Sequence, residues 1–212
     1  MGVVILVLLC VTLFLPTKLQ ICVFDVGQGD GIYIRTAHHK HLLVDGGSST
    51  KKRVGNYVLK NGLKYYGGNQ LDYVFVSHSD SDHYSGIYEL LNEDLIQIKN
   101  LVMPNILNPD DSYKQLVNLA KGKGCEIYYI QAGDTLSIDD VMFRCLNPQK
   151  QVYEDKNAGS IVLQMTYQDF DMLFTGDFDT EGEKRIMQDI RGKIEVLKLA
   201  HHGSATASSK EF

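Results

Sequence analysis

An apolar run that stops at a dense group of metal-binding side chains constrains this chain more than any other feature. Residues 73–76, Tyr-Val-Phe-Val, have the composition of a buried strand. The side chains that follow at once are His78, Asp80, Asp82 and His83. Such a group suits one or two metal ions bound from a single loop. The alternative is a turn or a helix cap made by Ser79 or Ser81, which accounts for one or two of these residues but not for two imidazoles and two carboxylates together.

The bulk properties of the chain predict one ordinary globular domain. It has 212 residues, of which 44% are hydrophobic and 22% are charged. The net charge of -5 leaves no electrostatic footprint for a polyanion, although bound cations would offset part of it locally. The four cysteines contain no CxxC pair, so the sequence carries no zinc-ribbon signal and no convincing disulfide framework.

The first 18 residues differ from the rest, so we predict two parts, an apolar segment over 1–18 and one domain over 19–212. Residues 2–15 are uncharged and almost entirely aliphatic. They are fewer than the about 20 residues that span a bilayer, and they lack the basic residues that precede a signal-peptide core. The segment is the end of a longer transmembrane helix, a signal-like segment or a buried strand. We favour a membrane segment, because no polar residue alternates in it.

The remaining chain alternates between short strands and helices. Strands are predicted over 21–26, 32–36 and 41–44 as an antiparallel start, then over 100–103, 126–131, 141–146 and 196–200, with a hairpin formed by 160–167 and 172–175. Helices are predicted over 51–66, 85–92, 110–120 and 180–190, the last with a capping box from Thr180 and Glu183. The chain ends soon after the last strand without a closing helix, so we expect the domain to be cut short at its C-terminus.

Four predicted strands end in a side chain that can bind metal or carry a proton: Asp45, His78, Asp177 and His201. Chemistry collects at such strand ends in mixed sheets flanked by helices. Gly46 and Gly47 after Asp45 let the backbone pass close to another loop, and Asp45 is suited to orient a histidine of the central group. From composition alone, an ordinary turn at Asp45 is an equal alternative.

The order of these motifs resembles the metallo-β-lactamase superfamily and, more narrowly, the C-terminal hydrolase domain of the ComEC family of competence proteins, which are membrane channels for DNA uptake. The segments that carry the resemblance are 24–30 (FDVGQGD), 43–47 (LVDGG), 78–83 (HSDSDH), 157–163, 174–177 (FTGD) and 197–204. They occur in order over nearly the whole soluble part of the chain.

The resemblance implies an α/β fold, a four-layer αββα sandwich with a metal site at one edge. The implied metal ligands are His78, Asp80, Asp82, His83, Asp177 as the bridging carboxylate, and His201. The residues implied for catalysis are Asp82, His202 and Lys198, with Lys198 meeting a phosphate. Supporting or substrate-contacting residues are Asp30, Asp45, Asn157 and Ser204. The choice of His201 over His202 as the ligand depends on the geometry of the last strand.

The chain departs from the wider superfamily at two positions. Asp80 stands where most members have histidine, and no histidine lies near Asn157. ComEC-like members share both departures. Carboxylate in place of imidazole hardens the site, so one or two ions of manganese, magnesium or zinc are expected.

The expected function is metal-dependent phosphodiester hydrolysis of DNA during competence-related uptake. The chain would then lie at the cell membrane, on the extracytoplasmic side, and a membrane channel domain would be its partner if it is part of a longer protein. The sequence lacks a basic stripe or an aromatic platform for single strands, which argues against DNA as the substrate. The alternatives are a phosphodiesterase or lactonase acting on small molecules or cell wall, and a non-catalytic interaction domain with a degenerate metal site.

Overall fold

The computed structural model describes residues 17–204, 207–209 and 212. The predicted apolar segment 1–18 therefore lies outside the described residues apart from Thr17 and Lys18. Across the described part of the chain, every helix is too short or too polar to cross a bilayer.

The first sheet contains six strands that lie side by side in chain order. These are β1 (Gln20–Val23), β2 (Ile32–Arg35), β3 (His41–Val44), β4 (Gln70–Phe75), β5 (Gln97–Pro104) and β6 (Glu126–Ile130). The first three are antiparallel, as the sequence predicts, and β3 to β6 are parallel. Parallel pairing brings the carboxyl ends of β3 and β4 to the same edge, where their loops can share a site.

The second sheet contains the five strands β7 (Thr135–Ile138), β8 (Val141–Asn147), β9 (Val162–Tyr167), β10 (Phe170–Phe174) and β11 (Val196–Lys198). They lie side by side in the order β11-β10-β9-β8-β7. β9 and β10 form the predicted hairpin, and β11 joins β10 in parallel, so the ends of these two strands also meet. The sequence prediction missed β7, an edge strand of four residues in which only Ile138 is fully buried.

Four layers result because each sheet buries one face against the other sheet and one face against helices. Between the sheets, Phe75 of β4 packs against Phe143 of β8 with ring centroids 4.9 Å apart. The helices are α1 (Lys60–Tyr65, after a π-helical turn Gly55–Leu59), α2 (Ser81–Asn92), α3 (Asp111–Gly122) and α4 (Thr180–Ile186). Ile87 of α2 joins the core outside the first sheet, and Ile186 of α4 joins the core outside the second. The predicted αββα sandwich is confirmed.

The start of α2 and the cap of α4 differ from the sequence prediction. α2 begins at Ser81 rather than Ser85, so Asp82 and His83 lie in its first turn and not in a loop. Asp80 occupies the cap position with an extended backbone, and its side chain makes no capping hydrogen bond. For α4 the cap is Asp179, which accepts a hydrogen bond from the Gly182 N–H, and Thr180 is the first helical residue. The Asp179 carboxylate, one residue before the predicted cap Thr180, thus accepts a hydrogen bond from a free N–H group of the first helical turn.

Candidate metal centre

Four residues from distant segments bring ligand atoms to one point. Asp30 lies in the β1–β2 loop, His83 in α2, Asp177 after β10, and His202 after β11. One ligand atom of each lies within 4.8 Å of the ligand atoms of the other three. We call these four residues the acid–imidazole quartet. Their separation in sequence means that only the folded chain assembles them.

His83 is the most enclosed member of the quartet, with a fully buried side chain. Its Nδ1 lies 2.9 Å from Asp45 Oδ2, and its Nε2 lies 3.1 Å from Asp177 Oδ1. An ionised carboxylate only accepts hydrogen bonds, so the contact with Asp45 places the proton on Nδ1. Asp45 is itself held by the Ser77 N–H and Oγ at 2.7 and 2.8 Å. This chain of contacts leaves Nε2 facing the centre, the arrangement in which metal-binding histidines are commonly oriented.

His202, and not His201, enters the quartet. His202 Nε2 lies 3.2 Å from Asp82 Oδ2 and 3.6 Å from Asp177 Oδ2, and its Nδ1 lies 3.5 Å from Asp30 Oδ1. The His201 side chain is exposed. The structure therefore does not support His201 as a ligand. Alternation continued from Lys198 through Ala200 would also point to His202, but the positive φ angles of His201 and His202 show that a turn, and not the strand, directs its side chain.

His78 lies beside the quartet but outside it. Its side chain is 2% exposed, its ring centroid is 4.2 Å from that of His83, and its Nε2 lies 3.4 Å from Asp80 Oδ2. Within the described part of the chain, neither His78 Nε2 nor His83 Nε2 makes a hydrogen bond of acceptable geometry. Buried polar atoms without such bonds are costly and call for an explanation. Imidazole nitrogens and carboxylate oxygens are donors that divalent transition ions accept, so the residues present fit a metal ion.

The hexapeptide 78–83 divides its side chains between two directions. Asp82 and His83 face the quartet, whereas Asp80 turns outward to an ion pair with Lys156. The His78 imidazole, 3.4 Å away, and the nearby Lys156 lower the pKa of Asp80 to about 2, although partial burial opposes this. The four predicted ligands of this hexapeptide therefore point to two neighbouring positions, because the helix start at Ser81 rotates successive side chains apart, and their role as ligands stays a prediction.

Lys198 brings positive charge to the quartet. Its ammonium forms an ion pair with Asp30, donates to the Gly176 carbonyl oxygen at 2.8 Å and lies 3.8 Å from Asp177 Oδ1. Asn157, in contrast, lies in the short turn Asn157–Gly159, and Ser204 follows the His201–His202 turn. Neither Asn157 nor Ser204 belongs to the quartet.

The charges of the site reinforce one another. Burial disfavours ionisation of Asp177, but the adjacent His83 imidazole, with smaller contributions from His78 and Lys198, holds its pKa well below the usual range. Burial likewise opposes protonation of His83, yet Asp45 and Asp177 raise its pKa. Asp177 is therefore ionised at neutral pH and attracts a cation.

Glycines allow the β3–α2 contact that delivers His83. Gly46 N–H donates to the His83 carbonyl oxygen at 2.7 Å. A Cβ placed on Gly47 would lie 2.4 Å from the Ser81 carbonyl oxygen and 2.5 Å from His83 N. The close approach that the sequence predicts for this glycine pair is confirmed, and it is made with the first turn of α2.

Comparisons with known proteins agree with this architecture. A family model for the metallo-β-lactamase superfamily matches residues 24–212. The chain is 31% identical to ComE operon protein 3 of Bacillus subtilis (strain 168), with 93% of this chain and 27% of that protein covered. It is also 31% identical to competence protein ComA of Neisseria gonorrhoeae, with 91% and 25% covered. The chain thus spans about a quarter of the length of these curated relatives.

Solved structures show the same fold at low identity. CmlA, a diiron β-hydroxylase from Streptomyces venezuelae, superposes with a TM-score of 0.57 at 12% identity, covering 87% of this chain and 35% of CmlA. The metallo-β-lactamase fold protein YhfI from Bacillus subtilis gives 0.50 at 18% identity, covering 74% and 62%. Since the family match extends over nearly all the described residues and the competence proteins align along the same length, the chain belongs to the metallo-β-lactamase superfamily as a hydrolase domain related to the ComEC competence proteins.

Proposed function

We propose that this domain is a metal-dependent phosphodiesterase that cleaves DNA during competence-related uptake. The observation that carries the proposal is the convergence of Asp30, His83, Asp177 and His202, whose ligand atoms lie within 4.8 Å of one another. The choice of DNA as the substrate rests on the competence proteins to which the chain is 31% identical. We place the domain at the cell membrane, on its extracytoplasmic side, on the same basis.

His83, Asp177 and His202 are the residues we propose as ligands, with Asp82 and Asp30 completing the surroundings. When bound, a divalent ion supplies Lewis acidity that lowers the pKa of a water molecule and offsets charge on a phosphate. Asp45 holds His83 with its Nε2 toward the centre. Asp30 Oδ1 likewise lies 3.5 Å from His202 Nδ1, which leaves the Nε2 of His202 toward the centre. The mixture of carboxylate and imidazole suits manganese, zinc or magnesium.

The remaining chemistry falls to Asp82 and Lys198. The Asp82 side chain is 20% exposed, which makes it the carboxylate of the centre that solvent and a substrate reach. We propose that it accepts a proton from the attacking water. The Lys198 ammonium has three donors, of which Gly176 and Asp30 engage two, so its third donor serves a phosphate oxygen.

The test is hydrolysis by the full chain with manganese, zinc, magnesium or a chelator. The substrates are labelled single-stranded and double-stranded DNA, bis(p-nitrophenyl) phosphate and a lactone. Asp177→Asn removes the central charge, and Asp169→Asn, in the exposed β9–β10 turn, is the matched control. We expect metal-dependent DNA cleavage that Asp177→Asn abolishes and Asp169→Asn retains.

Other outcomes separate the alternatives. Hydrolysis of the lactone or the small phosphodiester with intact DNA would replace our proposal with a small-molecule hydrolase. Bound metal without turnover of any of these substrates would indicate a non-catalytic domain, and no bound metal would refute the centre itself.

A further inference from the structure

His78 and Asp80 form half of a second cation position next to the quartet. His78 is almost fully buried, and its Nε2, without a hydrogen bond of acceptable geometry among the described residues, lies 3.4 Å from Asp80 Oδ2. The rings of His78 and His83 are 4.2 Å apart, so this half-site adjoins the proposed ligand His83. A buried imidazole nitrogen beside a carboxylate is a donor pair that transition ions accept.

A lysine already supplies positive charge to this half-site. The Lys156 ammonium forms an ion pair with Asp80 Oδ1, and it lies 3.4 Å from Asp110 Oδ2 at the cap of α3. Asp80 thus shares one carboxylate between His78 and Lys156. An ammonium has no coordination chemistry, but its charge repels a second cation and its hydrogen bond occupies a carboxylate oxygen.

The position of Lys156 allows it to move. It lies in the loop between β8 and the turn Asn157–Gly159, and its side chain is 46% exposed, compared with 32% for Asp80. Ion pairs this accessible to water contribute little net stability and exchange readily with other charges. The Lys156–Asp80 contact is therefore a barrier that a sufficient concentration of divalent cation can overcome.

We propose that Lys156 acts as an internal competitor for the second metal position. The centre then takes one divalent ion at His83, Asp177 and His202, and a second ion at His78 and Asp80 binds more weakly because Lys156 must first leave Asp80. This inference rests on the proposed metal centre and assigns to Lys156 a role in setting metal stoichiometry. Lys156 is a positioning residue in this scheme, since it acts through Asp80.

Manganese titration of the full chain tests the proposal without a substrate. After chelation and dialysis, free Mn²⁺ is followed by electron paramagnetic resonance, and bound ions per chain are counted. We expect two classes of site in the unaltered protein. Lys156→Met should tighten the weaker class about tenfold, the scale expected for removing one charge next to a carboxylate in a partly exposed position. Lys156→Arg keeps the charge, so the manganese affinity of the weaker class should stay as low as in the unaltered protein.

Lys150→Met is the matched control, because it removes the same charge from the same loop and Lys150 makes no ion pair with Asp80 among the described contacts. Asp80→Asn should lose the weaker class and keep the tighter one. Lys156→Gln provides a second neutral variant, and thermal unfolding checks that each variant is folded.

Two failures are distinguishable. If the unaltered protein binds manganese but Lys156→Met and Lys156→Gln leave both affinities unchanged, the role of Lys156 is refuted while the centre stands. If neither the unaltered protein nor any Lys156 variant binds manganese, zinc or magnesium, the proposed metal centre fails and the inference fails with it.

Discussion

Asp45 accepts a hydrogen bond from the buried imidazole of His83, with 2.9 Å between Asp45 Oδ2 and His83 Nδ1. This single contact joins the end of β3 to the first turn of α2 and determines which nitrogen of His83 faces Asp177. It also explains the Asp-Gly-Gly sequence, since Gly46 and Gly47 bring the backbone of β3 close enough for the carboxylate to reach.

Asp45→Asn should weaken metal binding by about 10- to 100-fold, the range found when a carboxylate that orients a metal-binding histidine is replaced. An asparagine fills the same space, but its amide lacks the charge that favours the His83 Nδ1–H tautomer. Manganese binding measured by calorimetry checks this, with Asp169→Asn as control. Equal affinities for Asp45→Asn and the control would contradict the proposed orientation of His83.

His202→Ala should abolish tight metal binding, whereas His201→Ala should leave it within about twofold. The reason is that His202 Nε2 lies 3.6 Å from Asp177 Oδ2, while the His201 side chain is exposed. A twofold change corresponds to about 0.4 kcal/mol, which is within the usual effect of a surface substitution. Metal content after dialysis distinguishes the two variants. The reverse pattern would restore His201 as the ligand.

Gly47→Ala should destabilise the fold by about 3 kcal/mol, at the upper end of overpacking costs, because the added methyl group meets backbone atoms rather than a flexible side chain. Its Cβ would lie 2.5 Å from His83 N. Gly122→Ala is the control: it has open space and lies at the end of α3, so its stability should be unchanged or up to about 1 kcal/mol higher. Urea unfolding measures both. A neutral Gly47→Ala would mean that the β3–α2 contact is looser than described.

Asp72 should contribute stability that depends on pH. Burial opposes its ionisation, but hydrogen bonds from the His41 N–H and from Lys99, with the charge of Lys40, lower its pKa below the usual value. A carboxyl group with a lowered folded-state pKa adds stability that is fully present above its unfolded pKa, about 3.9, and is lost as the pH falls through the folded value.

The free energy of unfolding should therefore fall by about 1 kcal/mol more for the unaltered protein than for Asp72→Asn between pH 5 and pH 3. Urea midpoints at several pH values in this interval provide the measurement. Both proteins share every other titrating group, so parallel curves would show that Asp72 has the same pKa in the folded and unfolded chain.

Local sequence patterns determined most of the secondary structure and the identity of the polar strand ends. Short apolar runs specify strands such as β2 and β9, in which consecutive residues are buried on both faces, and the Gly46–Gly47 pair specifies a close backbone approach. The predicted start of α2 at residue 85 is wrong, because serine and aspartate are common both in turns and in the first turns of helices, and the helix begins at Ser81.

Only the tertiary structure decided which side chains meet. His201 and His202 are adjacent in sequence, yet their positive φ angles of 47° and 54° end the alternation of β11, and the turn that follows brings His202 inward. Lys156 is an ordinary loop lysine in the sequence and becomes the partner of Asp80 only when β8 and β4 lie in facing sheets. Periodicity reports the environment of a residue within its own element, whereas a site depends on distances between elements, which packing alone sets.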